Sequence, residues 1–275
     1  MSGFGALTAD YDGFIVDLWG VVHDGVTLYP GVLDCLERLR AAGKAVVFLS
    51  NAPRRTKGIA AVLAGMGVGG THYAGIMSSG EAVFLGLRDR GGEFAGLGRR
   101  LYHLGPERDR DVFDTLAYDE AAAPGDADFI LNTGPDDALG EQDGAVYRPV
   151  LEAGLRAGLP MVCANPDLEV VRDGRRIICA GALAEMYKAG GGVVIQRGKP
   201  DAAIYAPTLA MLGTARHRTL AVGDSLRTDI AGAKAAGIDS CWVLSGIHAL
   251  RPEAAPDEAA AFGVAPRAIL PGFGW

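Results

Sequence analysis

Three short runs in this chain are apolar at every position, and each stops on a polar residue. Phe14, Ile15 and Val16 lead into Asp17; the run AVVFL at 45–49 leads into Ser50 and Asn51; Leu220, Ala221 and Val222 lead through Gly223 into Asp224. A strand with no polar face has to be covered on both faces. The arrangement that does this is a parallel sheet with helices on each side. Between the first two runs, Leu33, Leu36 and Leu39 recur at helical spacing, Pro30 stands where a first turn tolerates it, and Gly43 closes the segment. The chain therefore opens β-α-β-α, and the expected fold class is α/β, a doubly wound, Rossmann-like parallel sheet.

The same reading carried along the chain predicts strands at 13–19, 44–49, 99–104, 127–131, 160–164, 175–179, 193–196, 219–222, 240–244 and 268–270. It predicts helices at 30–43, 54–66, 78–90, 146–157, 200–212, 225–236 and 252–261. Glycines crowd 91–98 and 190–192, and the texture changes there. The expected organisation is a core domain from 1–97 and 191–275, with a second α/β domain, 98–190, inserted into it.

With 275 residues, 49% of them hydrophobic, the chain can bury a sizeable core. Its net charge of −7 argues against non-specific nucleic-acid binding and against an anionic membrane surface. Cys35, Cys163, Cys179 and Cys241 lie far apart with no C-x-x-C, which argues against zinc or a redox pair and for core thiols. Residues 1–10 show no signal-peptide pattern, and no run approaches the ~20 apolar residues of a membrane helix. The expectation is a cytoplasmic protein.

Ligands of open parallel sheets bind beyond the carboxyl ends of the strands. Asp17, Ser50 with Asn51, and Asp224 with Ser225 all stand at such ends, and Lys199 opens a helix between them. Each alone reads as a turn residue or a helix cap; together they make a coherent set. Two carboxylates from separate strands suit a hard cation such as magnesium. The Ser50 hydroxyl and Asn51 amide can donate to a phosphoryl group, and Lys199 supplies positive charge for its transition state. A carboxylate so placed can also act as nucleophile. Asp229, five residues after Asp224, reads either as an orienter of Lys199 or as a contact to the metal shell. Arg54 and Arg55 read as a helix start or as a phosphate contact.

These residues resemble the ordered motifs of the haloacid dehalogenase-like hydrolases: Asp17 with Trp19, Gly20 and Val21, then Ser50 with Asn51, then Gly198-Lys199-Pro200, then Gly223-Asp224-Ser225 with Asp229. Tyr29-Pro30-Gly31, Ser78-Ser79-Gly80-Glu81, Asn165-Pro166-Asp167 and Gly181-Ala182-Leu183 are similar to features of the NagD-like and nitrophenylphosphatase-like subgroup, which carries a large α/β cap. The resemblance implies a Mg2+-dependent phosphomonoester hydrolase. Asp17 would be nucleophile and metal ligand, the Trp19 backbone carbonyl and Asp224 further ligands, with Asp229 beside them. Ser50 and Lys199 would hold the phosphoryl group, Asn51 and Ser225 would support the pocket, and Asn165 and Asp167 are candidate cap contacts. The implied partner is a small phosphorylated metabolite, a sugar phosphate or nucleotide, and a cap of this size offers a surface for a homodimer.

Position 19 departs from the pattern, because family phosphatases carry a second Asp there that protonates the leaving oxygen. Indole cannot titrate, and lost general acid–base help costs ~10²–10⁴ in rate. Three readings stay open. His23 or Asp24, in the flap after Trp19, replaces the acid; or the substrate has a good leaving group; or the protein is a catalytically weak phosphometabolite binder on the same scaffold.

Overall fold

The computed structural model describes residues 3–140, 142–172, 175–246 and 253–275. In chain order the elements are β1 (Gly13–Val16), α1 (Val32–Ala41), β2 (Ala45–Ser50), α2 (Thr56–Gly65), β3 (Gly75–Ser78), α3 (Ser79–Asp89), β4 (Arg100–Leu104), β5 (Asp119–Glu120) and β6 (Phe129–Asn132). There follow α4 (Arg148–Arg156), β7 (Met161–Cys163), β8 (Glu169–Arg172), β9 (Arg175–Ile178), α5 (Ala180–Ala189), β10 (Val194–Gln196) and α6 (Tyr205–Leu212). The chain closes with β11 (Thr219–Gly223), α7 (Ala231–Ala236), β12 (Asp239–Val243), α8 (Ala255–Ala261) and β13 (Ala268–Leu270).

The expected α/β class holds. The chain forms two compact units. The first, made of 1–50, 57–77 and 199–275, carries a six-stranded sheet in the order β13-β12-β11-β1-β2-β3. β13, β12, β11, β1 and β2 run parallel in it. β1 and β11 are buried at every position, as strands without a polar face require. Register places the chemistry. Val16 lies opposite both Val222 and Phe48, so Asp17 leaves the sheet level with Gly223 and Leu49, one residue short of Asp224 and Ser50.

The second unit, 51–56 and 78–198, has a five-stranded parallel sheet, β10-β7-β6-β4-β5, and a hairpin of β8 and β9. As a packed body it is longer than the 98–190 read from the glycine-rich turns. Val83 and Leu87 of α3 share one apolar cluster with Leu101, Val112, Phe129 and Val162, and β10 pairs with β7. The glycines at 91–98 and 190–192 are turns inside that body. Segment 51–56 is bound into it by Arg55, whose guanidinium donates to both Glu81 carboxylate oxygens at 2.7 and 3.1 Å, and by Arg54, which pairs with the buried Asp109 at 3.2 Å. Ser78 caps α3, accepting from Glu81 N–H at 3.0 Å.

Other differences have local causes. β1 ends at Val16 because residues 18–23 turn back on themselves, with the N–H groups of Val22 and His23 both on the Leu18 carbonyl. β3, β5, β8 and α5 lie outside the elements that the sequence pattern predicts. These strands are four residues long or shorter, and α5 opens on Ala and Gly, which carry little periodic signal. The tail helix expected at 252–261 is α8, and Pro252 lies outside the described residues. All four cysteines are buried, as core thiols should be. No helix among the described residues is long and apolar enough to cross a membrane.

Candidate active site

Asp17 follows β1, and its N–H stays on the sheet by donating to the Val222 carbonyl at 2.9 Å. Its side chain is therefore delivered to the edge in a fixed direction. Lys199 reaches the same edge from the segment before α6 and is 3% exposed. Its ammonium donates to Asp17 Oδ1 at 2.5 Å, Asp229 Oδ1 at 2.7 Å and the Leu49 carbonyl at 3.0 Å. Asp229 lies in the helical turn that precedes α7, and its other oxygen, Oδ2, accepts from Ser225 N–H at 3.1 Å. Ser225 caps that turn, its hydroxyl accepting from Thr228 N–H at 3.4 Å. Asp224 is buried between β11 and the turn, its carbonyl accepting the Trp242 indole N–H at 2.8 Å.

Oxygens of Asp17, Asp224 and Asp229 all lie within 4.8 Å of one another. Three buried carboxylates thus converge at the edge that Lys199 reaches. Burial raises the Asp17 pKa well above the usual carboxylate range; Lys199 opposes this, and the Asp229 and Asp224 charges add to it. Burial alone would lower the Lys199 pKa, but Asp17 and Asp229 outweigh it and hold the ammonium charged. A divalent cation fits such a site on its chemistry: the donors are hard oxygens, and they converge. Asp229 has both oxygens engaged, by Lys199 and by Ser225 N–H, which fits it to orient Lys199.

The flap after Asp17 is a tight hairpin. His23 pairs with Leu28, Tyr29 N–H donates to the Val22 carbonyl, and Asp24 N–H donates to the Thr27 carbonyl. Asp24 is exposed; its Oδ1 accepts from Val26 and Thr27 N–H at 2.9 and 2.7 Å, and these bonds lower its pKa. It is the turn's own cap. His23 is buried, with Nδ1 accepting from Gly25 N–H at 3.0 Å and its ring edge-on to Trp19 at 5.8 Å between centroids. That bond leaves the proton of the neutral ring on Nε2, and burial lowers the pKa. Trp19 is half-buried against the flap tip: a Cβ on Gly25, whose φ is 98°, would meet its indole at 2.3 Å.

The first unit thus brings together Asp17, Lys199, Asp224 and Asp229, with Ser225 beside Asp229. Ser50, at the end of β2, is buried next to the Leu49 carbonyl that receives Lys199. Asn51, Asn165 and Asp167 gather in the second unit. Asn51 Nδ2 donates to Asp167 Oδ1 at 2.9 Å, Ser79 Oγ donates to Asn51 Oδ1 at 3.4 Å, and Asn165 Oδ1 accepts Asp167 N–H at 2.9 Å. Arg54 and Arg55 are engaged by Asp109 and Glu81. Sequence reasoning missed Ser245 and Gly246, which follow β12 and reach Gly20 and Asp224. The available signal was the one used elsewhere, a polar residue just past an apolar run.

The family described as haloacid dehalogenase-like hydrolase matches residues 14–119, and the family described as HAD-hydrolase-like matches 196–269. A hydrolase of the haloacid dehalogenase-like family from Brucella suis 1330 superposes with a TM-score of 0.86 at 32% identity, covering 98% of each chain. Chronophin of Bos taurus is 29% identical over 86% of this chain and 82% of its own length. Sugar-phosphatase AraL of Bacillus subtilis (strain 168) is 26% identical over 85% and 83%. This chain belongs to the haloacid dehalogenase-like hydrolases.

Proposed function

We propose that the chain is a magnesium-dependent phosphomonoester hydrolase that works through an aspartyl-phosphate on Asp17, with a small phosphorylated metabolite, a sugar phosphate or nucleotide, as substrate. The observation that carries this is the Asp17 carboxylate held at 2.5 Å by a buried ammonium, with Asp224 and Asp229 converging on it. That similar chains are named phosphatases supports it. In the first step an Asp17 oxygen bonds to phosphorus as the bond to the leaving oxygen breaks, and that oxygen takes a proton. In the second, water attacks the phosphorus, gives up a proton and releases phosphate, restoring the carboxylate. Lys199 offsets charge on the phosphoryl oxygens in both steps, held in direction by Asp229, and Ser50 donates to the same group. Asp17, Asp224 and the Trp19 carbonyl would hold Mg2+, whose chemistry there is to neutralise phosphoryl charge.

Trp19 supplies no proton. His23 is the flap residue proposed to do so, and its geometry sets a condition. The imidazolium needs a proton on Nδ1, where Gly25 N–H now donates, so protonation competes with the flap's own turn. This favours leaving groups that depart with little proton help. Asn165 and Asp167, with Asn51, are the proposed source of specificity. The alternative, a weak phosphometabolite binder on the same scaffold, rests on Trp19 alone; the convergence of Asp17, Lys199, Asp224 and Asp229 supports the hydrolase. A screen of phosphorylated metabolites with Mg2+, comparing wild type with Asp17→Asn, tests the proposal. Asp17→Asn should lose activity by roughly 10⁴-fold or more; undiminished Mg2+-dependent turnover in that variant would rule the mechanism out.

A further inference from the structure

The carboxyl end of β12 carries two residues to which the proposed reaction gives no task. Ser245 Oγ donates to the Gly20 carbonyl at 2.8 Å. A Cβ on Gly246 would lie 1.7 Å from Asp224 Oδ2, and one on Gly20 would lie 2.2 Å from the same atom. The Asp224 carboxylate therefore stands in a slot walled on two sides by glycine. Its own carbonyl is held by the Trp242 indole at 2.8 Å, so a methyl group on either wall would have to turn the carboxylate itself.

The same contacts govern the backbone of Trp19. Gly20 N–H donates to the His23 carbonyl at 3.0 Å. In a trans peptide the carbonyl and the N–H point opposite ways, so this bond sets the direction of the Trp19 carbonyl. Gly20 has a φ of 86°, a conformation other residues rarely adopt, and its own carbonyl is the one that Ser245 holds. Two consecutive peptides are thus fixed, one from the flap and one from β12. Because residue 19 contributes through its backbone, its side chain can change while these anchors stay.

We propose that Ser245 and Gly246 are positioning residues of the cation site: Ser245 holds the loop that aims the Trp19 carbonyl, and Gly246 leaves the space in which the Asp224 carboxylate stands. The inference rests on the proposed cation at Asp17, Asp224 and the Trp19 carbonyl, and on no later step of the proposed reaction. A merely structural tie would change the stability of the metal-free protein and leave its affinity for the cation alone.

The experiment is a calorimetric titration of Mg2+ into the full chain after chelator treatment, for wild type, Ser245→Ala, Ser245→Thr and Gly246→Ala. Ser245→Ala should weaken Mg2+ binding roughly tenfold, as loss of an outer anchor to a metal ligand does, and Ser245→Thr, which keeps the hydroxyl, should restore it. Gly246→Ala should weaken binding further; if it does not fold, the Ser245 pair decides alone. Wild-type affinity in Ser245→Ala overturns the inference, whatever its thermal midpoint. A wild type that binds no Mg2+ overturns the metal reading itself. Mg2+ binding with the expected variant effects, in a protein that cleaves no phosphomonoester, overturns only the proposed reaction and leaves this inference standing.

Discussion

The chain builds two parallel sheets, and the carboxyl ends of their strands are polar in both, yet the two edges differ in kind. At the first, Asp17 and Asp229 share the Lys199 ammonium, and an Asp224 oxygen lies within 4.8 Å of theirs. In the second unit the polar groups are mostly amides: Asn165, just past β7, accepts Asp167 N–H, Asn51 donates to Asp167, and Asn132, at the end of β6, donates to the Ala180 carbonyl at 2.9 Å while its buried Oδ1 meets no partner among the described residues. The position at a strand end is common to both. What separates them is the donor set: converging carboxylate oxygens suit a hard cation, whereas amides and carbonyls suit neutral hydrogen-bonding groups.

Removing Lys199 should break this contrast most severely. Lys199→Met leaves buried carboxylates facing each other, so the metal-free protein should lose about 3–5 kcal/mol of stability in urea unfolding. The comparison fails if the loss is no larger than for a neutral contact in the second unit. Next comes pH. His103, in β4, bonds Thr133 Oγ1 at 2.8 Å, and burial lowers its pKa to about 4. The unfolded chain therefore takes up a proton near pH 6.5 that the folded chain refuses until about pH 4. The folded state keeps this advantage above pH 6.5 and loses it as pH falls between those values, by about 3 kcal/mol. Acid titration of His103→Gln against wild type isolates it, and the slope should flatten in that window.

A smaller effect comes from the cation. Mg2+ at about a hundred times its dissociation constant should raise stability by about 2.7 kcal/mol, and chelation should remove the gain. In Asp224→Asn the shift should shrink toward zero, while Asp167→Asn should leave it intact. Equal loss in both would mean that the two edges are not distinct in the way argued. The smallest effect is Asp167→Ala, which removes the charged acceptor of the Asn51 amide and should cost about 1.5 kcal/mol. A rise in KM without a matching fall in stability would add substrate contact to its structural part.

Much of the fold was legible in the chain. Runs such as FIV before Asp17 and LAV before Gly223 have no polar face, so they had to be inner parallel strands, and the residues ending them had to meet at one edge. That logic singled out Asp17, Ser50 and Asp224, while Lys199 was read from its place at the start of a helix. It failed where segments are short or weakly patterned, as at β3 and α5, and it put the limits of the second unit at glycine-rich turns, although packing of Val83 and Leu87 and pairing of β10 extend that unit to 78–198. Asn51 is the instructive case. Its neighbour Ser50 stays with the first unit, while its own amide is spent on Asp167, which stands 116 residues later in the chain.

What the sequence determined by itself was the residue type at each strand end, since apolar patterning is local and a carboxylate after three buried residues has few places to go. Partnership was decided only by the tertiary structure. That Asp229 bonds Lys199 and that Asp224 fits between Gly20 and Gly246 depend on non-local contacts, and even the local ties, Asp24 capping its own turn and His23 Nδ1 taken by Gly25 N–H, depend on how the flap folds. Hydrogen bonds and charge balance are properties of groups within a few ångströms, and no spacing along the chain specifies which groups those are.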